Sequence, residues 1–234
     1  MKIIDSVFFK KKCKTLVLKC LTYKTDSVEV NKVLKKYEFG KISETQYHQL
    51  RKLFIQNRKT SIDSSSTLLV HYKDSLYDFK ANKRIFDIHV KSHDSVRHHI
   101  LTPKKFDSNR KKRIKKQLKC VKKMKRKYNA ETFYIYKYDY GSIKTYPDLN
   151  WIKDRSIFKN VFFKIMYNSD FLILKPNGDY FLSGGHLDTK MIKTLIKTKN
   201  WDKYKKDLEN SISAQSKEGI GFFKENTYHK SHCF

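Results

Sequence analysis

The chain has 234 residues, of which 39% are hydrophobic and 14% aromatic, enough apolar material to bury a core in one large or two small domains. Its 52 Lys and Arg stand against 23 Asp and Glu, a formal charge of +29 that a compact chain carries most readily beside a polyanion, so nucleic acid is the expected partner. No apolar run approaches the roughly 20 residues needed to cross a bilayer, and no signal-peptide pattern follows Met1, so no membrane partner and an intracellular location are expected.

Residues 1 to 24 mix apolar and basic side chains, with Ile3, Ile4, Val7, Phe9, Leu16, Leu18 and Leu21 among lysines. This predicts a strand pair or one long bent strand, clearest over Lys14 to Tyr23. Asp26 to Tyr37 carries Val28, Val30, Val33 and Leu34 and closes on Gly40, which predicts a helix. A second helix is expected from Ser43, with Glu44 in its first turn and Tyr47, Leu50, Leu53 and Phe54 on one face. Asn57 to Ser66 reads as a polar loop. Cys13, Cys20, Cys120 and Cys233 form no Cys-x-x-Cys pair, and in a reducing compartment they are expected as separate thiols.

Thr67 to Ser92 is strand-rich, and His93 to Ser108 reads as a loop carrying Pro103. His89, His93, Asp94, His98 and His99 are the candidates for a metal-dependent phosphohydrolase. That chemistry needs further His and Asp ligands on helices, and no glycine-rich phosphate loop, carboxylate pair or nucleophile motif accompanies them. No catalytic residue, metal or cofactor is therefore expected. Arg110 to Tyr128, RKKRIKKQLKCVKKMKRKY, holds twelve Lys or Arg and no acid, yet Ile114, Leu118, Val121, Met124 and Tyr128 recur at helical spacing. It predicts a helix with a narrow buried stripe and a basic face. Like charges at i and i+4 repel, and contact with phosphate or an acidic partner explains their density better than a solvated face does. Arg110, Lys122, Lys123, Lys125 and Arg126 are the candidate phosphate contacts.

Glu131 to Tyr140 reads as a strand dense in tyrosine, and Tyr146 to Phe158 as a short amphipathic helix with Trp151, Ile152 and Ile157. Asn160 to His186 holds three short apolar runs, Val161 to Met166, Phe171 to Leu174 and Tyr180 to Leu182, separated by Asn-Ser-Asp and Pro-Asn-Gly. They predict three antiparallel strands, with Ile173 to Leu182 a hairpin in which Pro176 presets φ while Asn177 and Gly178 tolerate positive φ. By strand alternation Leu172, Leu174 and Leu182 share one face, and Phe171, Ile173, Lys175, Phe181 and Ser183 the other. Leu187, Met191, Ile192, Leu195 and Ile196 define another amphipathic helix, continued by Trp201, Tyr204 and Leu208; residues 211 to 234 read as a flexible tail.

The segment Tyr167 to Ser183, YNSDFLILKPNGDYFLS, has an ungapped echo in Tyr72 to Ile88, YKDSLYDFKANKRIFDI. They share Tyr72/Tyr167, Lys80/Lys175, Asn82/Asn177 and Phe86/Phe181, and each copy sits between helical stretches. With Phe171-Leu-Ile-Leu174, Asn177-Gly178-Asp179, Tyr180-Phe-Leu182 and Ser183-Gly-Gly-His186, the stretch from Ser156 to His186 resembles the second half of the TATA-box-binding protein family. It is most similar to the divergent, basic versions carried by large DNA viruses. The resemblance implies an α+β fold of two pseudo-symmetric repeats forming a curved antiparallel sheet, a saddle with helices on its convex face. Residues 1–130 would be the first repeat with an inserted helix and the basic helix, 131–210 the second, and 211–234 the tail.

The face bearing Phe171 and Phe181 is either a second layer of core or a surface for a flat, partly apolar ligand such as the DNA minor groove, whose base steps apolar wedges can open. The resemblance implies the latter, with Phe158 at a wedge position, Lys175 at its partner position, Phe79 or Lys80 in the corresponding place of the first repeat, and Phe86 as the counterpart of Phe181. The strand over 131–140 lacks the asparagine with which the family reads base edges, which removes the basis for TATA-like specificity. The function implied is transcription initiation: binding promoter duplex DNA through the concave sheet and recruiting polymerase or a partner factor through the convex helices, in the host cytoplasm, virion or nucleus. The alternative is a sequence-tolerant binder of RNA or single strands that uses the same tyrosines and phenylalanines for stacking.

Overall fold

The computed structural model describes residues 6–58, 61–91, 102–145, 149–163, 171–184 and 187–224, the side chains at 6, 86–91 and 144–145 excepted. It is an α+β fold. A short helix, α1 (Ser6–Lys12), precedes a hairpin of β1 (Leu18–Lys24) and β2 (Glu29–Lys35). The remaining strands are β3 (Tyr37–Lys41), β4 (Thr67–Tyr77), β5 (Ala130–Tyr140), β6 (Ile152–Lys153), β7 (Phe171–Leu174) and β8 (Asp179–Ser183). They form one sheet in the order β3-β8-β7-β4-β5-β6. β4 to β5 and β5 to β6 are parallel, and the other pairs are antiparallel. The helices are α2 (Glu44–Arg58), α3 (Phe79–Lys91), α4 (Pro103–Tyr128), α5 (Ser142–Thr145), α6 (Ile157–Val161), α7 (Thr189–Lys197) and α8 (Asp202–Ser213), followed by a 3-10 turn at Gly221–Phe223.

Local chemistry accounts for the boundaries. Ser43 and Gln46 form a capping box at the start of α2: the Gln46 amide donates to Ser43 Oγ at 3.2 Å and the Ser43 amide to Gln46 Oε1 at 2.9 Å. The β7–β8 turn is closed by the Gly178 amide on the Lys175 carbonyl at 3.0 Å, with Gly178 at φ 83°. A side chain there would also strike the Ile42 carbonyl oxygen, 2.2 Å from an added Cβ.

Both faces of the sheet are core. On one, Leu68, Val70, Phe133, Ile135, Leu172, Leu174 and Leu182 pack against Tyr47, Leu50 and Phe54 of α2 and against Phe158, Phe162 and Phe163. On the other, Leu69, Phe171, Ile173 and Phe181 pack beneath Met124 of α4, Met191, Ile192 and Leu195 of α7, Trp201 and Leu208, and Phe223. The side-chain alternation expected along β7 and β8 is therefore correct, but its second face meets helices of the same chain. The antiparallel saddle is corrected accordingly: the sheet is mixed, with a long parallel pair near its middle and cover on both sides.

Other expectations change for identifiable reasons. Asp26 to Tyr37 is a turn followed by β2 and the start of β3, not helix. The Thr25 hydroxyl accepts from the Val28 amide at 3.1 Å and closes a tight turn, and the β-branched valines that follow pair with β1. The echo diverges after Tyr77: Asp78 Oδ1 accepts from the Ala81 amide at 2.8 Å and starts α3, since Ala-Asn-Lys-Arg offers no glycine to turn a hairpin. Residues 103–108, expected as loop, are helix because Pro103 occupies the first turn and Thr102 caps it. Of the amphipathic helix expected over 146–158, 146–148 lie outside the described residues, Ile152–Lys153 is β6, and only Ile157 and Phe158 are α-helical, opening α6; of the strand expected from Val161, that residue ends α6 and 164–166 lie outside the described residues. Within the expected tail, residues 211–224 are packed, with Phe223 fully buried among Tyr37, Phe39 and Phe222. Cys13 and Cys20 are joined in a disulfide rather than separate thiols.

Candidate nucleic-acid interface

α4 follows from its sequence more directly than any other element. The Lys105 amide donates to Thr102 Oγ1 at 3.2 Å, and Asn129 ends the helix in a left-handed conformation at φ 47° and ψ 48°. The predicted stripe seats it. Ile114 packs with Tyr134 and Leu149, joined by Leu118 and Val121, while Met124 and Tyr128 join the core beneath α7. Turning by 100° per residue, the helix carries Lys112, Lys116, Lys119, Lys123 and Arg126 along its outer side, all exposed. None of the five forms an ion pair among the described residues.

Of the phosphate contacts inferred from sequence, Lys122, Lys123, Lys125 and Arg126 are exposed and Arg110 is half-buried, but Lys125 and Arg110 each have a partner within the fold. Lys125 Nζ lies 2.7 Å from Glu131, which also meets Arg58 at 3.8 Å. Arg110 donates to the Tyr77 carbonyl at 3.0 Å and to the Ser142 hydroxyl, so it fastens α4 to the ends of β4 and β5.

The residues assigned to a concave DNA-binding sheet do not form a surface. Phe171, Ile173, Phe181 and Ser183 are buried under α7 and α8, and Phe158 lies on the opposite face, 5.4 Å from the Phe54 ring. Apolar rings in this number are retained by two helical layers, which remove them from water more completely than a groove would. Lys175 is buried too. Its ammonium donates to the Thr198 and Lys199 carbonyls at the end of α7 and sits 4.0 Å over the Trp201 ring. Burial pulls its pKa down to about 8 against the opposing pull of Asp179. Phe79 and Lys80 open α3 rather than a strand, Lys80 exposed and Phe79 5.7 Å from the Phe106 ring; Phe86 falls in α3, its side chain outside the described set. His93, Asp94, His98 and His99 lie outside the described residues, as does the His89 side chain.

A second exposed feature was visible in sequence only as tyrosine density. β4 and β5 stay paired to their ends, with Lys73 opposite Tyr136, Ser75 opposite Tyr138 and Tyr77 opposite Tyr140; Lys153 of β6 lies on the other side of Tyr136. Tyr134 is 2% exposed under Ile114, while Tyr138 and Tyr140 are each 51% exposed. The Tyr77 and Tyr140 rings are parallel at 5.3 Å. Elsewhere a cavity of about 320 Å³ opens between α2, β6 and α6. Asp154, the acid among its lining residues, accepts from the Phe158 and Lys159 amides at 3.2 and 3.0 Å and so caps α6. No family model, curated protein or solved structure matches the chain.

Proposed function

We propose that the chain is a nucleic-acid-binding protein that grips phosphates with the outer face of α4. The observation that carries this reading is the line of Lys112, Lys116, Lys119, Lys123 and Arg126, exposed along a helix whose opposite side is anchored in the core. Like charges this dense cost self-repulsion in water, and a polyphosphate backbone converts that cost into affinity by releasing its counterions. A rigid helix also holds its cations without the ordering penalty a loose tail would incur. The promoter-binding reading needs an open sheet face, and Phe171 and Phe181 are covered, so contact passes from the sheet to the helix. An intracellular site of action suits such a partner. The Cys13–Cys20 bridge, a bond that oxidising compartments favour, points the other way.

The test compares the wild type with the combined Gln variant of those five residues on labelled duplex DNA and on labelled single strands at one salt concentration. Substantial loss on both is expected. Equal binding by the two proteins would overturn the assignment to α4.

A further inference from the structure

We propose that the open ends of β4 and β5, with the adjoining β6, form a stacking platform for single-stranded nucleic acid. Bases would lie on Tyr138 and on the Tyr77–Tyr140 pair, with phosphates beside Lys73 and Lys153. This rests on the nucleic-acid reading above and adds the form of nucleic acid recognised.

Partners in register on neighbouring parallel strands point to the same side of a sheet. Lys73, Tyr136 and Lys153 therefore make one line across three strands, and Tyr138 and the Tyr77–Tyr140 pair continue from it along the strands. Side chains two apart on a strand share a face, so this is the side on which α4 packs at Tyr134; exposure rises along it from Tyr134 to Tyr138 and Tyr140, although α4 runs on beside them to Arg110. Two half-exposed tyrosines on adjacent same-face positions form a contiguous aromatic surface, and lysines exposed at its edge supply charge complementary to phosphate. The Arg110 contacts with the Tyr77 carbonyl and Ser142 hold the first turns of the basic helix against the same end of the sheet.

Spacing selects the form. Successive same-face positions on a strand are about 6.6 Å apart, roughly twice the 3.4 Å separating stacked bases along one strand of a duplex. Neighbouring bases that each meet a ring must therefore be parted from one another, as only an unpaired, extended strand allows. A duplex presents base edges and phosphates but keeps its base faces closed, so it gains nothing from the tyrosines.

The experiment measures anisotropy of labelled oligothymidylate and of the same strand paired with oligoadenylate, at matched salt. Tyr138→Ala and Tyr140→Ala are expected to weaken the single strand by about ten-fold or more, the loss of one base–aromatic stack, and to leave the duplex unchanged. Tyr138→Phe keeps the ring and the affinity. Unchanged thermal melting by circular dichroism shows that the fold is retained. Wild-type affinity for the single strand in both Ala variants, or equal loss on single strand and duplex, overturns the platform. The five-residue α4 variant loses both oligonucleotides, so a failure of the platform is distinguishable from a failure of the helix; if the wild type binds neither probe, both readings fall.

Discussion

Truncating Phe181 to Ala decides whether the second face of the sheet is core or ligand surface. Phe181 is fully buried, its ring stacked with Tyr37 at 6.0 Å and tilted against Phe39 at 4.8 Å, with Ile173 opposite it on β7. A buried aromatic ring removes about 150 to 250 Å² from water, which at about 25 cal/mol per Å² is an upper bound of roughly 4 to 6 kcal/mol. The methyl group left behind and partial collapse of the site bring the expected cost to about 3 to 5 kcal/mol. Leu182, its neighbour on the opposite face and 2% exposed, should cost about 2 to 5 kcal/mol when truncated. Since a domain of this kind has about 5 to 15 kcal/mol in all, either change should move the urea midpoint far to lower concentration at an unchanged m-value. Were the Phe181 face a binding surface, Phe181→Ala would keep the wild-type midpoint and lose affinity instead. That outcome would refute the two-sided core.

Three further outcomes follow from the geometry. Burial, with a lesser push from Lys73, lowers the His71 pKa from 6.5 to about 3. The unfolded chain therefore binds a proton that the folded chain refuses across that window, and stability present above pH 6.5 is lost as pH falls toward 3, by about 1.4 kcal/mol per pH unit; urea titrations of wild type and His71→Phe should diverge below pH 6.5 and run parallel above it. Gly178→Ala forces a side chain into the left-handed region, at about 1 to 2 kcal/mol, and drives its Cβ onto the Ile42 carbonyl, so its melting temperature should fall while Asn177→Ala, which loses only the contacts with Asp179, falls less. Lys125→Gln should weaken nucleic-acid binding less than Lys123→Gln, because both are exposed but Lys125 is already paired with Glu131.

Much of the architecture was legible where one signal dominated. α4 declared itself because five apolar residues at helical spacing survive inside twelve cations, and the β7–β8 hairpin because Pro-Asn-Gly has few other conformations. Tertiary partners decided the rest. Val30 and Val33 suit helix spacing and strand propensity alike, and pairing with β1 settled them. The alternation in β7 and β8 correctly separated Leu172 and Leu182 from Phe171 and Phe181, yet a strand apolar on both sides is compatible with either a second core layer or a ligand. The signal for the former was present in Met191, Ile192, Leu195 and Trp201, an amphipathic stretch that itself needs a face to cover. The Tyr138 and Tyr140 surface was not legible, because exposure there depends on which side chains pack over the ends of the strands, which no local pattern in β5 records.

The central claim is that the outer face of α4 contacts phosphate, and the salt dependence of binding tests it most directly. For duplex DNA the log–log slope is about −0.9 per phosphate neutralised. Replacing Lys112, Lys116, Lys119, Lys123 and Arg126 by Gln should flatten the wild-type slope by up to about 4 to 5, with one unit or less lost per residue. A slope unchanged by all five substitutions would contradict the account, since the line of cations would then face something other than nucleic acid.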